Sequence, residues 1–337
     1  MKNSKIEWCD HTFNPWVGCT KCSPGCCHCY AAERAKRFGL GEYKKGVPRV
    51  RTSAKNWGKV LAWADEAANQ EIDRELENPH GNFLKGYQRP RVFCASLADW
   101  LDDEVPAFWL SDLLYLIGKC RALDFLLLTK RPELWRSRLQ EVKKLGDCGA
   151  QVAAAWLDGK PLPNIWLGTT VEDQQRADER IPALLSIPAK VRFLSCEPLL
   201  GPVDLQRTND GVFAWSPLTG RHIPAFVATE PHAKIDWVIC GGESGPHARP
   251  MHPDWARSLR DQCQAAGVPF LFKQWGEWYS VKYAGPKARI THIEVNGRKC
   301  SRYHDWEDGH FALPLGKHDS GRLLDGEEHN QFPEVAS

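Results

Sequence analysis

Arg91-Val-Phe-Cys-Ala-Ser-Leu-Ala-Asp99 is a short apolar run that closes on small and polar residues, with an amphipathic stretch after it. The same unit returns, in kind rather than in sequence, as Phe125-Leu-Leu-Leu-Thr-Lys-Arg131, Ile165-Trp-Leu-Gly-Thr-Thr-Val-Glu172 and Val191-Arg-Phe-Leu-Ser-Cys-Glu197. Trp237-Val-Ile-Cys-Gly-Gly-Glu243 and Pro269-Phe-Leu-Phe-Lys-Gln-Trp275 complete the series. Near-continuous apolar strands of this length suit a parallel sheet covered on both faces. The runs begin 34, 40, 26, 46 and 32 residues apart, the spacing of βα units. Pro106, Pro132 and Pro253 sit beside acidic residues at helix starts, and Gly267 caps the helix predicted over Pro253 to Ala266.

Working outward, Thr12 to Gly18 is a candidate first strand, the cysteine-rich stretch after it a loop, and Cys29 to Phe38 a helix. The expected fold is α/β: a full or partial (β/α) TIM-like barrel of six to seven parallel strands, with the cysteine loop after strand 1. An open doubly wound sheet is the competing arrangement. In both, ligands bind at the carboxyl ends of the strands. Cys19 to Cys29, Asp99, Lys130, Arg131, Thr170, Glu172, Glu197, Glu243 and Lys273 all fall at such ends. Residues 1–275 are expected to form the barrel, with insertions at 146–163 and 203–235, and residues 276–337 a C-terminal cap or appendage.

Forty-four basic and forty-two acidic side chains give a net charge of +2 over 337 residues, which excludes a polycation. No run of eighteen apolar residues exists, and Met1 to Trp8 has no signal-peptide core. The expectation is a cytoplasmic protein without a membrane association. Residues 1–60 hold twelve Lys/Arg and four Asp/Glu, so the remainder carries −6. That basic segment is a solvated face or a local phosphate contact. Phosphate-loop, dinucleotide-binding, nucleophile-elbow and zincin motifs are all missing.

Thirteen cysteines are many for a reducing compartment, and five of them (Cys19, Cys22, Cys26, Cys27, Cys29) lie within eleven residues. Cys22, Cys26 and Cys29 make C-x3-C-x2-C, while Cys19, Cys26 and Cys29 make C-x6-C-x2-C. Pro24 and Gly25 turn the chain between them. Three thiolates on a four-iron cluster leave one iron without a protein ligand, open to the amino and carboxylate groups of S-adenosylmethionine. Zinc on Cys19, Cys22, Cys26 and Cys29 is the alternative, although zinc ribbons usually separate their pairs by more than three residues. An unligated set of thiols is a third possibility.

Further motifs run along nearly the whole chain. They are Trp8 to Trp16 with Asn14-Pro15, Gly18-Cys-Thr-Lys21, Ser23-Pro-Gly-Cys26, Cys29-Tyr-Ala31, Leu128-Thr-Lys-Arg-Pro132 and Arg180-Ile-Pro182. Arg192 to Pro202, Trp237 to Gly245, Phe272-Lys-Gln-Trp-Gly276 and Gly321-Arg-Leu-Leu-Asp-Gly326 follow. With them the chain resembles the phage-associated three-Cys-motif proteins, a family similar to radical S-adenosylmethionine enzymes. The resemblance implies a [4Fe-4S] cluster on Cys19, Cys26 and Cys29, with Cys22, at a position usually aliphatic in that family, as the alternate to Cys19. Position 95, here alanine, is usually asparagine.

The resemblance also implies S-adenosylmethionine as cofactor, a reducing electron donor, and a 5′-deoxyadenosyl radical that abstracts hydrogen from substrate. Ser96 and Asp99 would then hold the methionine moiety, and Thr170 and Glu172 the ribose. Lys130, Glu197, Glu243 and Lys273 would face the substrate as catalytic candidates. Helix capping, or mutual pairing as scaffold, is the plainer role for each of these. Phage association and the basic segment point to a nucleobase or nucleotide substrate in nucleic-acid modification or repair, and a DNA base would have to be flipped or single-stranded. The contrasting expectation is a non-catalytic nucleic-acid-binding accessory protein whose zinc or iron–sulfur site only organises the loop.

Overall fold

The computed structural model describes residues 1–77, 87–209, 214–223, 232–282, 293–295, 298–300 and 302–334. Seven strands make the main sheet: β1 (His11–Phe13), β2 (Arg91–Cys94), β3 (Asp124–Thr129), β4 (Ile165–Thr170), β5 (Val191–Cys196), β6 (Trp237–Gly241) and β7 (Phe270–Gln274). Their order in the sheet is their order in the chain. The pairs β1–β2, β2–β3, β3–β4 and β6–β7 are parallel. A doubly wound sheet reverses its strand order at a switch point. This order never reverses, so the fold is α/β with the sequential winding of a partial (β/α) barrel. Every residue of β4 is buried, as expected for a strand covered on both faces.

The chain divides into two compact units, residues 1–170 with 180–193 and 333–337, and residues 171–179 with 194–332. In the first unit lie α1 (Tyr30–Phe38), α2 (Ala54–Glu77), α3 (Ala107–Lys119), α4 (Trp135–Lys143) and α5 (Cys148–Leu157). Helix α1 begins one residue after the expected Cys29 and stops at Gly39, whose φ of 62° is left-handed. The expected first strand, 12–18, is broken. Pro15 has no N–H for the ladder, and Trp16–Val17 turn away to pair antiparallel with Val50–Arg51.

Two helices lay outside the expectations. Helix α2 buries Val60, Trp63, Ala64 and Ala67, one face at i, i+3, i+4 and i+7. The stretch 146–163, expected to be an aperiodic insertion, contains α5. Asp147 caps that helix, accepting from Ala150 N at 2.8 Å and from Ser111 Oγ at 2.5 Å. Gly149 lets α5 approach α3 so closely that a Cβ there would lie 2.1 Å from Ser111 O. Trp156 stacks on Trp100 with ring centroids 5.9 Å apart. The inward face is mostly Gly and Ala, small residues that give a weak hydrophobic signal.

Ala95, just past β2, has φ of 65°, the left-handed region that asparagine enters more readily than alanine.

Helix α6 (Gln174–Leu185) follows β4 in the chain, and in the second unit α7 (Pro253–Ala266) has the expected bounds, with Pro253 at its first turn and Gly267 left-handed at its end. Strands β8 (Trp278–Lys282) and β9 (His310–Pro314) are antiparallel, and His304–Asp305 pairs with the far side of β9. The tail then returns along β7: Phe272 N donates to His329 O at 2.9 Å and Gln331 N to Phe270 O at 3.2 Å. Such a strap covers a sheet edge that would otherwise offer unpaired backbone groups. Within 203–235, Thr208–Asn209, Ala214–Trp215 and His222–Ile223 form a small antiparallel sheet. Parts of that insertion and of the expected C-terminal cap lie outside the described residues. Among the described residues no helix is long and apolar enough to cross a membrane.

Gly168 in β4 lies under the Phe193 ring, and a Cβ there would come within 2.3 Å of Phe193 Cζ. Gly168→Ala is therefore expected to destabilise the protein by about 1–3 kcal/mol through overpacking, measured by urea unfolding. A change below about 0.5 kcal/mol would show that the ring moves aside freely.

Candidate functional site

The cysteine loop leaves Val17 through Gly18, whose φ of 107° suits glycine. Two buried arginines then grip Thr20 from different directions. Arg49 Nη2 donates to Thr20 Oγ1 at 2.6 Å, and Arg131 Nη2 donates to Thr20 O. Arg131 Nη1 also lies 3.5 Å from Cys19 Sγ. Each arginine is held by an aspartate from the segment after β2. Asp99 Oδ2 accepts from Arg131 Nη1 at 3.1 Å, and Asp102 Oδ2 accepts from Arg49 Nε at 2.8 Å. The Arg49 and Asp102 side chains are fully buried. Beyond Thr20, Pro24–Cys26 form the expected turn, a single 3-10 turn, and Cys29 occupies the position before α1.

The four thiols do not share one environment. Cys22 donates a hydrogen bond to Cys26, which holds Cys26 well below the usual thiol range, and Lys130 adds to the effect against the opposing penalty of burial. The donor, Cys22, is raised for the same reason and by burial. Burial pushes Cys19 up to about 12, with Asp99 adding and Arg131 opposing. The Tyr43 phenol is raised by burial and then by Cys29 and Cys19. Among the described residues, no three loop sulfurs come within the 4.8 Å of one another that would suit a single ion.

Strand-end residues complete the first unit's cluster. Asp99 is a hub: Thr129 Oγ1 donates to it at 2.7 Å, Lys130 N at 2.8 Å and Leu101 N at 3.0 Å, besides Arg131. Ser96 Oγ is engaged by Asn14 Nδ2 at 3.0 Å. Lys130 Nζ reaches back to Thr170 Oγ1 at 3.2 Å, and Thr170 O accepts from Arg180 Nη1 at 2.9 Å. Asp99, Thr129, Lys130, Arg131 and Thr170 are thus one hydrogen-bonded chain beside the cysteine loop.

The second unit carries a separate set. Glu172 is fully buried, and its carbonyl accepts from Leu200 N at 2.7 Å. Lys273 Nζ donates to Glu197 Oε1 at 2.6 Å, and Gln274 Nε2 lies 3.5 Å from the same oxygen. Consecutive strand residues normally face opposite ways. Here the register slips so that Cys240 faces Phe272 and Gly241 faces Gln274, a bulge at Lys273 that brings both side chains to Glu197. Glu243 takes Arg249 through Nη2 at 2.6 Å and Nε at 2.8 Å. Gly242 serves a tight strand exit, since a Cβ there would lie 1.9 Å from Trp275 O.

Arg49, Asp102, Thr129, Arg249 and Gln274 escaped sequence reasoning. The Asp99-x2-Asp102 pair after a strand is the local sign of the first three; Arg249 and Gln274 have none. His252, Asp308 and His310 also converge, with one possible ligand atom each within 4.8 Å. His252 Nδ1 accepts from Asp254 N at 3.1 Å, so its Nε2 carries the hydrogen that faces Asp308 Oδ2 at 2.9 Å. That lone pair is committed to a helix cap, and the trio is a hydrogen-bond network joining α7 to β9.

A family model described as "Protein of unknown function (DUF5131)" matches residues 3–333. No curated protein and no solved structure matches the chain.

Asp102→Ala removes one of the two carboxylates that neutralise buried Arg49, the other being Glu104 at 2.9 Å, and is expected to cost about 1–3 kcal/mol. Hydrogen exchange at residues 18–22 should rise with it; unchanged exchange there would mean that Glu104 and Arg131 suffice to hold the loop. In metal-free protein, iodoacetamide at pH 7 should modify Cys26 ahead of Cys19, because Cys26 is ionised there and Cys19 is protonated until about pH 12. Peptide mapping should show that preference lost in Cys22→Ala.

Proposed function

The chain belongs to the DUF5131 family, and we propose that it is a radical S-adenosylmethionine enzyme built around a [4Fe-4S] cluster on Cys19, Cys26 and Cys29. The observation that carries this reading is the clasped thiol loop. Several thiols leave one short segment beside the ends of parallel strands, amid Arg131 and Lys130. The donor set fits: thiolates are the ligands such a cluster takes, and the cations offset the negative charge that three thiolates bring. With S-adenosylmethionine the group would supply a 5′-deoxyadenosyl radical for hydrogen abstraction.

The chain's own residues have the following parts. Asp99 acts through Arg131 and Lys130, since its oxygens already accept four hydrogen bonds. Ser96, Thr170 and Glu172 are the candidates for holding the methionine and ribose groups. Lys273 Nζ donates to Glu197 Oε1, a pair placed to handle a proton of the substrate, and Glu243 with Arg249 adds a second carboxylate. Cys22 is the donor that keeps Cys26 ionised, and it is the alternate to Cys19 in assigning the third ligand. We assign the substrate to the nucleobase or nucleotide class, in phage-related nucleic-acid modification or repair, and expect a dedicated electron donor.

Anaerobic reconstitution with iron and sulfide should give brown protein, and dithionite with S-adenosylmethionine should release 5′-deoxyadenosine. Alanine at Cys19, Cys26 or Cys29 should abolish iron binding, whereas Cys22→Ala should retain it. Lys273→Met should lower turnover with iron content unchanged. Colourless protein holding one zinc through four thiols would sink the proposal and leave the non-catalytic nucleic-acid-binding accessory role.

A further inference from the structure

The Gly321-Arg-Leu-Leu-Asp-Gly326 motif has no part in the thiol chemistry, yet in the second unit it lines a cavity of about 380 Å³. That volume lies within the range of small-molecule sites, about 300–1,000 Å³. The motif is fastened to the preceding one in the chain. Trp275 N donates to Gly321 O at 3.1 Å and Trp275 Nε1 to Leu323 O at 2.8 Å. Trp275 and Tyr279 contribute aromatic surface to the cavity.

The polar lining is unevenly satisfied. Asp325 is neutralised by Arg257 at 2.7 Å and Arg260 at 2.6 Å, and Asp319 lies 2.8 Å from His318 Nδ1. Two buried nitrogens of the lining, Arg322 Nε and His310 Nε2, have no hydrogen-bond partner. His310 is only 6% exposed, and its Nδ1 lies 3.2 Å from Asp308 Oδ1, an oxygen that can only accept. Nδ1 therefore carries a hydrogen, so in the neutral ring Nε2 holds a lone pair that can accept from a phosphate P–OH. Lys282 adds a further cation to the same lining. An unmet guanidinium N–H, an unmet imidazole nitrogen and an ammonium beside aromatic rings describe a receptor for a phosphate with a flat body.

We propose that this cavity binds a phosphate-bearing ligand of nucleotide size. Arg322, His310 and Lys282 take the phosphate, and Trp275 and Tyr279 take the base. The proposal does not depend on the iron–sulfur reading. Free nucleotides and the 5′-phosphate end of a nucleic-acid strand present the same chemistry, and binding measurements can separate them.

Calorimetric titration of the full-length chain with adenosine monophosphate, adenosine, inorganic phosphate, and a dinucleotide with or without a 5′-phosphate is the test. Adenosine monophosphate is expected to bind at least about tenfold more tightly than adenosine. Arg322→Gln and Lys282→Gln should each weaken it by about tenfold. Lys282 is exposed, so its replacement should leave the melting temperature unchanged and keeps the test valid if the Arg322 variant fails to fold. A 5′-phosphorylated dinucleotide binding as well as the mononucleotide would identify a strand end as the source, and binding of the mononucleotide alone a free nucleotide. Failure of both adenosine monophosphate and phosphate to bind, or binding indifferent to both substitutions, would overturn the proposal.

Discussion

Two aspartate–arginine pairs placed three residues apart, Asp99 with Arg131 and Asp102 with Arg49, set the path of the cysteine loop. Both arginines end on Thr20, one on its side chain and one on its carbonyl. Taking such charges out of water is costly, and the attraction within each pair offsets that cost only when the geometry is good. Their value here is directional. A guanidinium holds several donors in a rigid fork and can grip an aspartate and a loop at once, which a lysine ammonium cannot reproduce.

The electrostatic consequences separate Cys26 from the other buried cysteines. Cys94, Cys196, Cys240 and Cys263 are buried without a favourable cation, and burial raises each of them, Cys263 to about 12. They behave as small apolar side chains. Cys26 is also buried, yet it is lowered, because Cys22 donates to it and Lys130 stands near. Identical side chains thus take opposite chemical characters according to their neighbours, here Cys22 four residues away and Lys130 distant in the sequence.

The six sheet strands after β1 were legible because each is a run of apolar residues closed by small or polar ones. Helix α7 was legible through Pro253 and Gly267, which carry their conformational preference locally. Helix α5 was not. Its inward residues Gly149, Ala150 and Ala153 are small because α3 lies against them, and smallness without a partner in view resembles a loop. Thr12 to Gly18 had the composition of one strand, but Pro15 divided it between two partners. The bulge at Lys273 was equally hidden, since a register slip of one residue leaves no trace in composition.

Sequence alone determined the alternation of strands and helices, the crowding of thiols into one loop, and the placing of polar residues at carboxyl ends of strands. Those properties are local, each set by a few adjacent side chains. Tertiary structure alone decided which charges meet: Asp99 with Arg131 across 32 residues, Arg49 with Asp102 across 53, and Glu197 with Lys273 across 76. Ion pairing depends on distance in space, and the backbone sets that distance only once the sheet has brought its strand ends together.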